Sequence, residues 1–453
     1  MTRWLAEYAW LPEQPEPTPD VLIESAAGRI TAVTPLSTEG RPTTGVEVLA
    51  DAVRLPGLTL PGLANAHSHA FHRALRGRTH GGRGDFWTWR DRMYEVAARL
   101  DPENYLALAR AGYAEMALAG ITCVGEFHYL HHGPDGTPYA DPNAMGAALV
   151  EAAAHAGIRL TLLDACYLTA GVAGEPLAGP QRRFGDGDAV RWAERAAAFT
   201  PTDAHVRAGA AIHSVRAVPA DQLATVAGAA RERGIPLHLH LSEQPAENDA
   251  CRAAHGCTPT RLLADRGVLD QHTTAVHATH PTSSDVALLG ESRTGVCLCP
   301  TTERDLADGM GPARRLANAG SPLSLGSDSH AVVDLFEEAR AVELDERLRT
   351  RRRGHFTVGE LVTAATSAGH AALGWGDAGR LAVGDRADLV TLRLDSPRTA
   401  GVPAAGAFFA ATAGDVHQVV VDGQVVVRDG RHRTVDVPTE LATSIGEVTG
   451  AHE

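Results

Sequence analysis

"LPGLTLPGLANAHSHAFH", residues 55–72, places His67, His69 and His72 within six positions, directly after an apolar run broken by Pro and Gly. A buried strand ending in H-x-H sends both imidazoles to one side, because side chains two apart on a strand share a face. Two readings compete: a metal site at the end of a buried strand, or a polar loop that happens to be rich in histidine. The rest of the chain decides between them.

Seven further short apolar runs follow the one at 59–66. They are 121–126 "ITCVGE", 158–166 "IRLTLLDAC", 206–212 "VRAGAAI", 235–241 "IPLHLHL", 273–277 "TTAVH", 294–299 "TGVCLC" and 322–327 "PLSLGS". Ala- and Leu-rich segments separate them. In the clearest, 101–120, Asp101 stands at the N-cap, Pro102 at the first helical position and Gly120 at the stop. Another ends at Gly234. Short buried strands alternating with helices predict parallel strands joined by helical crossovers, and eight of them predict a closed (β/α)8 barrel, an α/β fold. No G-x-G-x-x-G follows the first strand, which disfavours an open nucleotide-binding sheet.

The flanks are rich in Val, Thr and turns. "VHQVVVDGQVVVRDGRH" (416–432) is a hairpin about Asp422-Gly423, and "VLIESAAGRITAVTP" (21–35) is a second one with Gly28 at its turn. Neither flank holds a core alone. The expected layout is a small β-sandwich made from residues 1–57 and 377–453, set against a barrel over 58–376. "PEQPEPTPD" and "RTRRRGH" read as solvated segments, and "RGD" at 83–85 as a turn.

At 453 residues with 44% hydrophobic content, the chain is a globular protein of more than one domain. It lacks a run of roughly 20 apolar residues, and its start has no signal-peptide pattern, so a cytoplasmic protein is expected. A net charge of −14 disfavours nucleic acid and anionic membranes as partners. The six cysteines follow no disulfide or zinc-ribbon spacing and read as buried thiols. There is no lysine.

The polar residues fall at the C-terminal ends of the predicted strands, where barrel enzymes build their sites. His67 and His69 follow strand one, Glu126 and His128 close strand two, and His213 follows strand four. His240 ends strand five with Glu243 three residues on, His277 ends strand six, and Asp328 follows strand eight. His67, His69, His240 and Asp328 supply three nitrogens and one carboxylate oxygen, a donor set suited to Zn²⁺ or another divalent ion with a position left for water. His238 lies deeper and is assigned to packing or to support of the ligands. His131 and His132 read as loop or supporting groups, and His80 as solvated.

These residues resemble the amidohydrolase superfamily, through "NAHSHA" (65–70), "HLHLSEQ" (238–244), "VHATH" (276–280), "GSDSH" (326–330) and the returning "GRLAVGDRADLV" (379–390). Two-metal versions of this architecture commonly bridge their ions through a carboxylated lysine on strand four; without lysine, one ion per chain is expected. Within the superfamily the chain is most similar to the N-formimino-L-glutamate deiminases of histidine degradation. "HSHAFHRALRG" (67–77), "FWTWRDRMY" (86–94), "EFHYLHH" (126–132), "IHSVRAV" (212–218) and "LCPTTERDLADG" (298–309) carry that likeness. His72 stands where that family more usually has Gln.

The resemblance implies a small anionic substrate, N-formimino-L-glutamate, and a homodimer. It makes Arg90 and Arg216 the carboxylate-binding candidates, with His72, Tyr129 and His213 as hydrogen-bond partners; an arginine's planar fork suits a carboxylate. Either arginine could instead hold a structural ion pair. Trp87 and Trp89 read as wall or core. For the chemistry, Asp328 is expected to accept the proton of water as well as bind metal, Glu243 to carry a proton to the leaving nitrogen, and His277 to orient the attacking water. The competing readings are a guanine, purine or aminotriazine deaminase of the same superfamily, and a barrel that has lost its metal and serves only to bind. Water attack on the same amidine could also expel formamide in place of ammonia.

Overall fold

Pro61 and Gly62 divide the opening stretch between two different sheets. The computed structural model describes residues 1–36, 51–79 and 86–450, with the side chains of Phe86 and Trp87 excepted. His80, the turn at 83–85 and the side chain of Trp87 therefore lie outside the described residues.

The chain begins with β1 (Thr2–Ala9), β2 (Thr18–Ala26), β3 (Arg29–Pro35) and β4 (Val53–Pro61), then enters a barrel at β5 (Leu63–Ser68). The apolar run at 59–66 was expected to be one strand. Its first three residues instead belong to β4 and its last four to β5, with Gly62 between. Hydropathy runs straight through the junction, so only the Pro-Gly pair marks it. Gly62 is needed there because a Cβ would sit 2.3 Å from Thr122 Oγ1 and 2.8 Å from Asp388 Cβ. Gly62→Ala is expected to destabilise the protein by about 1–3 kcal/mol through this overlap, read as a lower urea midpoint.

The barrel continues through β6 (Ile121–His128), β7 (Arg159–Cys166), β8 (Val206–Ile212), β9 (Leu237–Leu241), β10 (Thr273–His277), β11 (Gly295–Leu298) and β12 (Leu323–Leu325). Each pairs in parallel with the next. β6 and β7 are buried along their whole length, as strands covered on both faces must be. The ring closes through a bridge between Ser68 and Asp328 rather than a full ladder. The Asp328 N–H donates to His67 O at 3.0 Å and the His69 N–H to Asp328 O at 3.2 Å. The seam that shuts the barrel is therefore also the backbone that carries three of the four ligand candidates.

Helix signals read from the sequence sit where expected. The side chain of Asp101 accepts the N–H groups of Glu103 and Asn104 at the start of the helix Pro102–Leu118. Gly234, at φ +62°, ends the helix Leu223–Arg233.

After the barrel, β13 (Leu389–Leu392), β14 (Val416–Val421), β15 (Gln424–Arg428) and β16 (Arg431–His432) return to the first four strands. The second sheet, an extra domain built from both chain ends, runs β16-β15-β14-β13-β4-β1-β2-β3 in one continuous hydrogen-bonded order. The two ends meet where β13 pairs with β4. Trp4, Val21, Ile23, Leu55, Leu389 and Val420 share its own apolar cluster. Both predicted hairpins form; Asp422 and Gly423 take φ +48° and +76°, as a tight two-residue turn between twisted strands requires. Arg159, fully buried at the start of β7, pairs with the buried Asp388 and ties the sheet to the barrel. No helix among the described residues is long and apolar enough to cross a membrane. All six cysteines are free, and five are buried.

Candidate active site

The strand ends bring His67, His69, His240 and Asp328 together, with one ligand atom from each within 4.8 Å of the others. His67 Nε2 lies 3.1 Å from His240 Nε2. Asp328 Oδ1 lies 3.3 Å from His67 Nε2 and 3.4 Å from His69 Nε2. Backbone carbonyls orient two of the rings. His69 Nδ1 is 2.9 Å from Phe127 O, and His240 Nδ1 is 2.9 Å from His213 O. A carbonyl only accepts, so each Nδ1 carries the proton and each Nε2 is left with a lone pair aimed at the centre. Lone pairs converging on a buried point, with a carboxylate beside them, form a donor set that a divalent cation satisfies.

The protonation states suit this. Burial pushes the pKa of His67, His69 and His240 well below the usual histidine range, so all three are neutral near pH 7 and free to bind metal. Burial would raise Asp328, but His277 foremost outweighs it and holds its carboxyl below the ordinary value.

His277 sits among carboxylates. Its Nε2 is 3.7 Å from Glu243 Oε1 and 3.7 Å from Asp328 Oδ2, and its Nδ1 is 3.4 Å from Glu303 Oε1. Burial opposes its charge, yet Glu243, Glu303 and Asp328 together raise its pKa well above the usual value. Glu243 is raised mainly by burial, and His277 only partly offsets this. Ser242, His277, Asp328 and His330 all take positive φ, +49°, +70°, +41° and +57°. Such conformations cost non-glycine residues of order 1–3 kcal/mol each and persist where the surroundings enforce them. Here they turn the chain sharply as it leaves the strands at the barrel mouth.

The five substrate-binding candidates line the same small cavity, of about 70 Å³, as His69, His240 and Asp328. His72 Nε2 is 2.9 Å from Tyr129 Oη, and both are buried. The His213 ring packs edge-on against Tyr167 at 4.4 Å. The Arg90 guanidinium lies 5.6 Å from the centre of the Tyr94 ring. Burial opposes the charge of Arg216, but Tyr167, Glu247 and Glu243 raise its pKa overall, and it forms no ion pair among the described residues. Trp89 is a wall residue, edge-on to His72 at 5.1 Å. A larger cavity, about 660 Å³, lies beside Trp10, Leu323 and Phe356. Another, of about 780 Å³, lies beside Glu7, Arg393 and His417, but the ligand candidates face the smallest of the three.

Other histidines face elsewhere. His238 Nε2 bonds Ala372 O at 2.9 Å, below the ligand layer. His131 bonds Ala165 O and His132 bonds Asp186, inside a network that Arg195 shares with Asp164.

Several site residues were not singled out from the sequence. Glu303 holds His277 and also accepts the Cys299 N–H at 3.2 Å. Asp308, paired with Gln244, is pushed up to about 9 by burial and by Glu243. Glu247 is pushed up to about 7 by burial against the pull of Arg216. Cys299, read as a buried thiol, brings its sulfur within 4.8 Å of ligand atoms of His277 and Asp328. Glu303 and Asp308 stand in the quoted "LCPTTERDLADG", where their charge was visible but their direction was not.

A barrel with this ligand set at its mouth defines a hydrolase class, and the model of the amidohydrolase family matches residues 58–426. The chain belongs to that family and is a metal-dependent hydrolase. It is 41% identical over 396 residues to the formimidoylglutamate deiminase of Pseudomonas aeruginosa, covering 84% of this chain and 87% of that one. It is 30% identical over 448 residues to a 5-methylthioadenosine/S-adenosylhomocysteine deaminase of Halobacterium salinarum, covering 94% and 95%. A crystal structure of an amidohydrolase from Brucella melitensis matches with a TM-score of 0.88 at 32% identity, over 99% of this chain and 100% of that one.

Proposed function

We propose that the protein hydrolyses N-formimino-L-glutamate to N-formyl-L-glutamate and ammonia, using one Zn²⁺ per chain. The observation that carries this reading is the company the ligand set keeps: Arg90 and Arg216 share its cavity wall. A flat neutral purine or triazine has no charge to offer two guanidinium groups, whereas a dicarboxylate has two. The 41% identity to a formimidoylglutamate deiminase supports the same substrate. The reading carries with it a cytoplasmic homodimer.

His67, His69, His240 and Asp328 would hold the ion. Its contribution when bound is to lower the pKa of water from 15.7 to about 7, giving a nucleophile near neutral pH. The residues of the chain do the rest. Asp328 accepts the proton released as water adds to the amidine carbon. His277, fixed from behind by Glu303, donates a hydrogen bond that orients the attacking oxygen. Glu243 sits 3.7 Å from His277 and is held protonatable by burial. It passes one proton to the terminal nitrogen and Asp328 returns the one it took from water, so the nitrogen leaves as ammonia, while the remaining hydroxyl proton restores Glu243 and the carbon–oxygen bond becomes the formyl carbonyl.

Arg90→Ala and Arg216→Ala are each expected to raise KM for N-formimino-L-glutamate about 10- to 100-fold, the worth of one charge-assisted contact. Steady-state kinetics decide this; a variant with unaltered kinetics removes that arginine from the substrate site.

A further inference from the structure

Two phenols on the cavity wall hold protons that no described residue accepts. Tyr94, on the helix Phe86–Arg99, and Tyr167, just after β7, line the cavity together with Arg90 and Arg216. Behind them Gln181, only 8% exposed, points its amide nitrogen at both phenol oxygens. The distances are 3.0 Å to Tyr94 Oη and 3.3 Å to Tyr167 Oη. The direction of the amide is set from its other end, where Gln181 Oε1 accepts the backbone N–H of Ala178 at 3.4 Å. A flipped amide would set its NH₂ against that N–H. Gln181 therefore gives one hydrogen to each phenol.

A phenol oxygen that accepts still has its own O–H to give. Among the described residues neither Tyr94 nor Tyr167 has an acceptor for it; the contact with Gln181 is the one hydrogen bond each hydroxyl makes. Tyr167 is buried and Tyr94 half-buried, and leaving a buried donor unmade is costly. Burial and Tyr167 push the Tyr94 phenol up to about 12, with Arg90 and Arg216 pulling the other way, so it keeps its proton at neutral pH. Two O–H donors share one small space with the guanidinium of Arg216, a set that suits an anionic acceptor.

We propose that Tyr94 and Tyr167 donate hydrogen bonds to a carboxylate of the substrate, and that Gln181 is the positioning residue that aims both phenols. The inference rests on the acidic-substrate reading and deepens it: selectivity for an acid comes from a relay of aimed neutral donors as well as from the arginines. It also gives Gln181, which touches no substrate, a specific chemical requirement. A carboxylate at 181 would accept from the phenols and turn their lone pairs on the substrate.

The test is the ratio of kcat/KM for N-formimino-L-glutamate to that for its dimethyl ester, measured on metal-loaded enzyme with melting temperature as a folding control. Tyr94→Phe and Tyr167→Phe should each raise KM for the acid about 10- to 100-fold, with KM carrying the greater part of the loss, and should lower the ratio. Gln181→Met should lower it in the same direction, and Gln181→Glu further. In the Tyr94→Phe/Tyr167→Phe background, Gln181→Met should change the ratio no further, because its effect passes through the phenols. A doubly substituted enzyme with the ratio within about twofold of the unmodified one overturns the proposal and leaves the substrate reading standing. An equal effect of Gln181→Met with and without the phenols overturns its positioning role. Failure of the unmodified enzyme to turn over or bind the acid overturns the substrate reading, and the proposal with it.

Discussion

Asp328→Asn is expected to lower kcat by at least about 10⁴-fold, the largest single loss in the molecule. Two functions meet in this carboxylate. Its Oδ1 faces His67 and His69, and its Oδ2 faces His277. Losing the charge removes one ligand oxygen and, at the same time, the acceptor for the proton of water, and general base catalysis alone is worth about 10²–10⁴. Asparagine keeps the shape and the backbone bonds that close the barrel at this residue, so the fold should persist. Metal per chain, measured by atomic emission on protein purified without added metal, should fall in parallel. Activity within tenfold of the unmodified enzyme, with metal retained, would contradict the role.

Glu243→Gln is expected to reduce kcat about 10²- to 10⁴-fold while leaving KM and metal content close to their original values. The glutamate is not one of the four ligand candidates. It faces the same His277 nitrogen as Asp328 does, and loses only its ability to give and take a proton when replaced by the amide. This separates it from Asp328 by a measurement: both variants lose turnover, but only the aspartate variant loses metal. A Glu243→Gln enzyme within about threefold of full activity would move the proton carrier elsewhere, and Glu303 or Asp308 would be the next carboxylates to substitute.

Much of this was legible in the sequence because the relevant signals are local. Each barrel strand is a short apolar run, and each ligand candidate stands at or just beyond the end of one, so period and position together place it at the mouth. H-x-H on one strand needs no tertiary knowledge to put two imidazoles on one side. The less legible parts depend on chain direction after a strand ends. Ser242, His277, Asp328 and His330 turn through positive φ although none is glycine, and no propensity foretells that. Pro61-Gly62 looked like punctuation inside one strand because apolar residues continue on both sides; what divides it is the close approach of Thr122 and Asp388. Gln181 lies in a short 3-10 helix far from every motif, and its importance appears only once Tyr94 and Tyr167 stand beside it. Glu303 was inside a quoted motif, but a helix start seen in sequence does not reveal that its side chain reaches back to His277.

The central claim is that this metal site removes ammonia from an acidic amidine. Its most direct test is to incubate protein of known metal content with N-formimino-L-glutamate and to quantify ammonia and formamide separately. Ammonia and N-formyl-L-glutamate appearing in equal amounts, without formamide, is the predicted result. Formamide with glutamate would keep the substrate but contradict the path assigned to the proton from Glu243. Neither product, from enzyme carrying one metal ion per chain, would contradict the acidic-substrate reading and turn attention to the purine and aminotriazine deaminases.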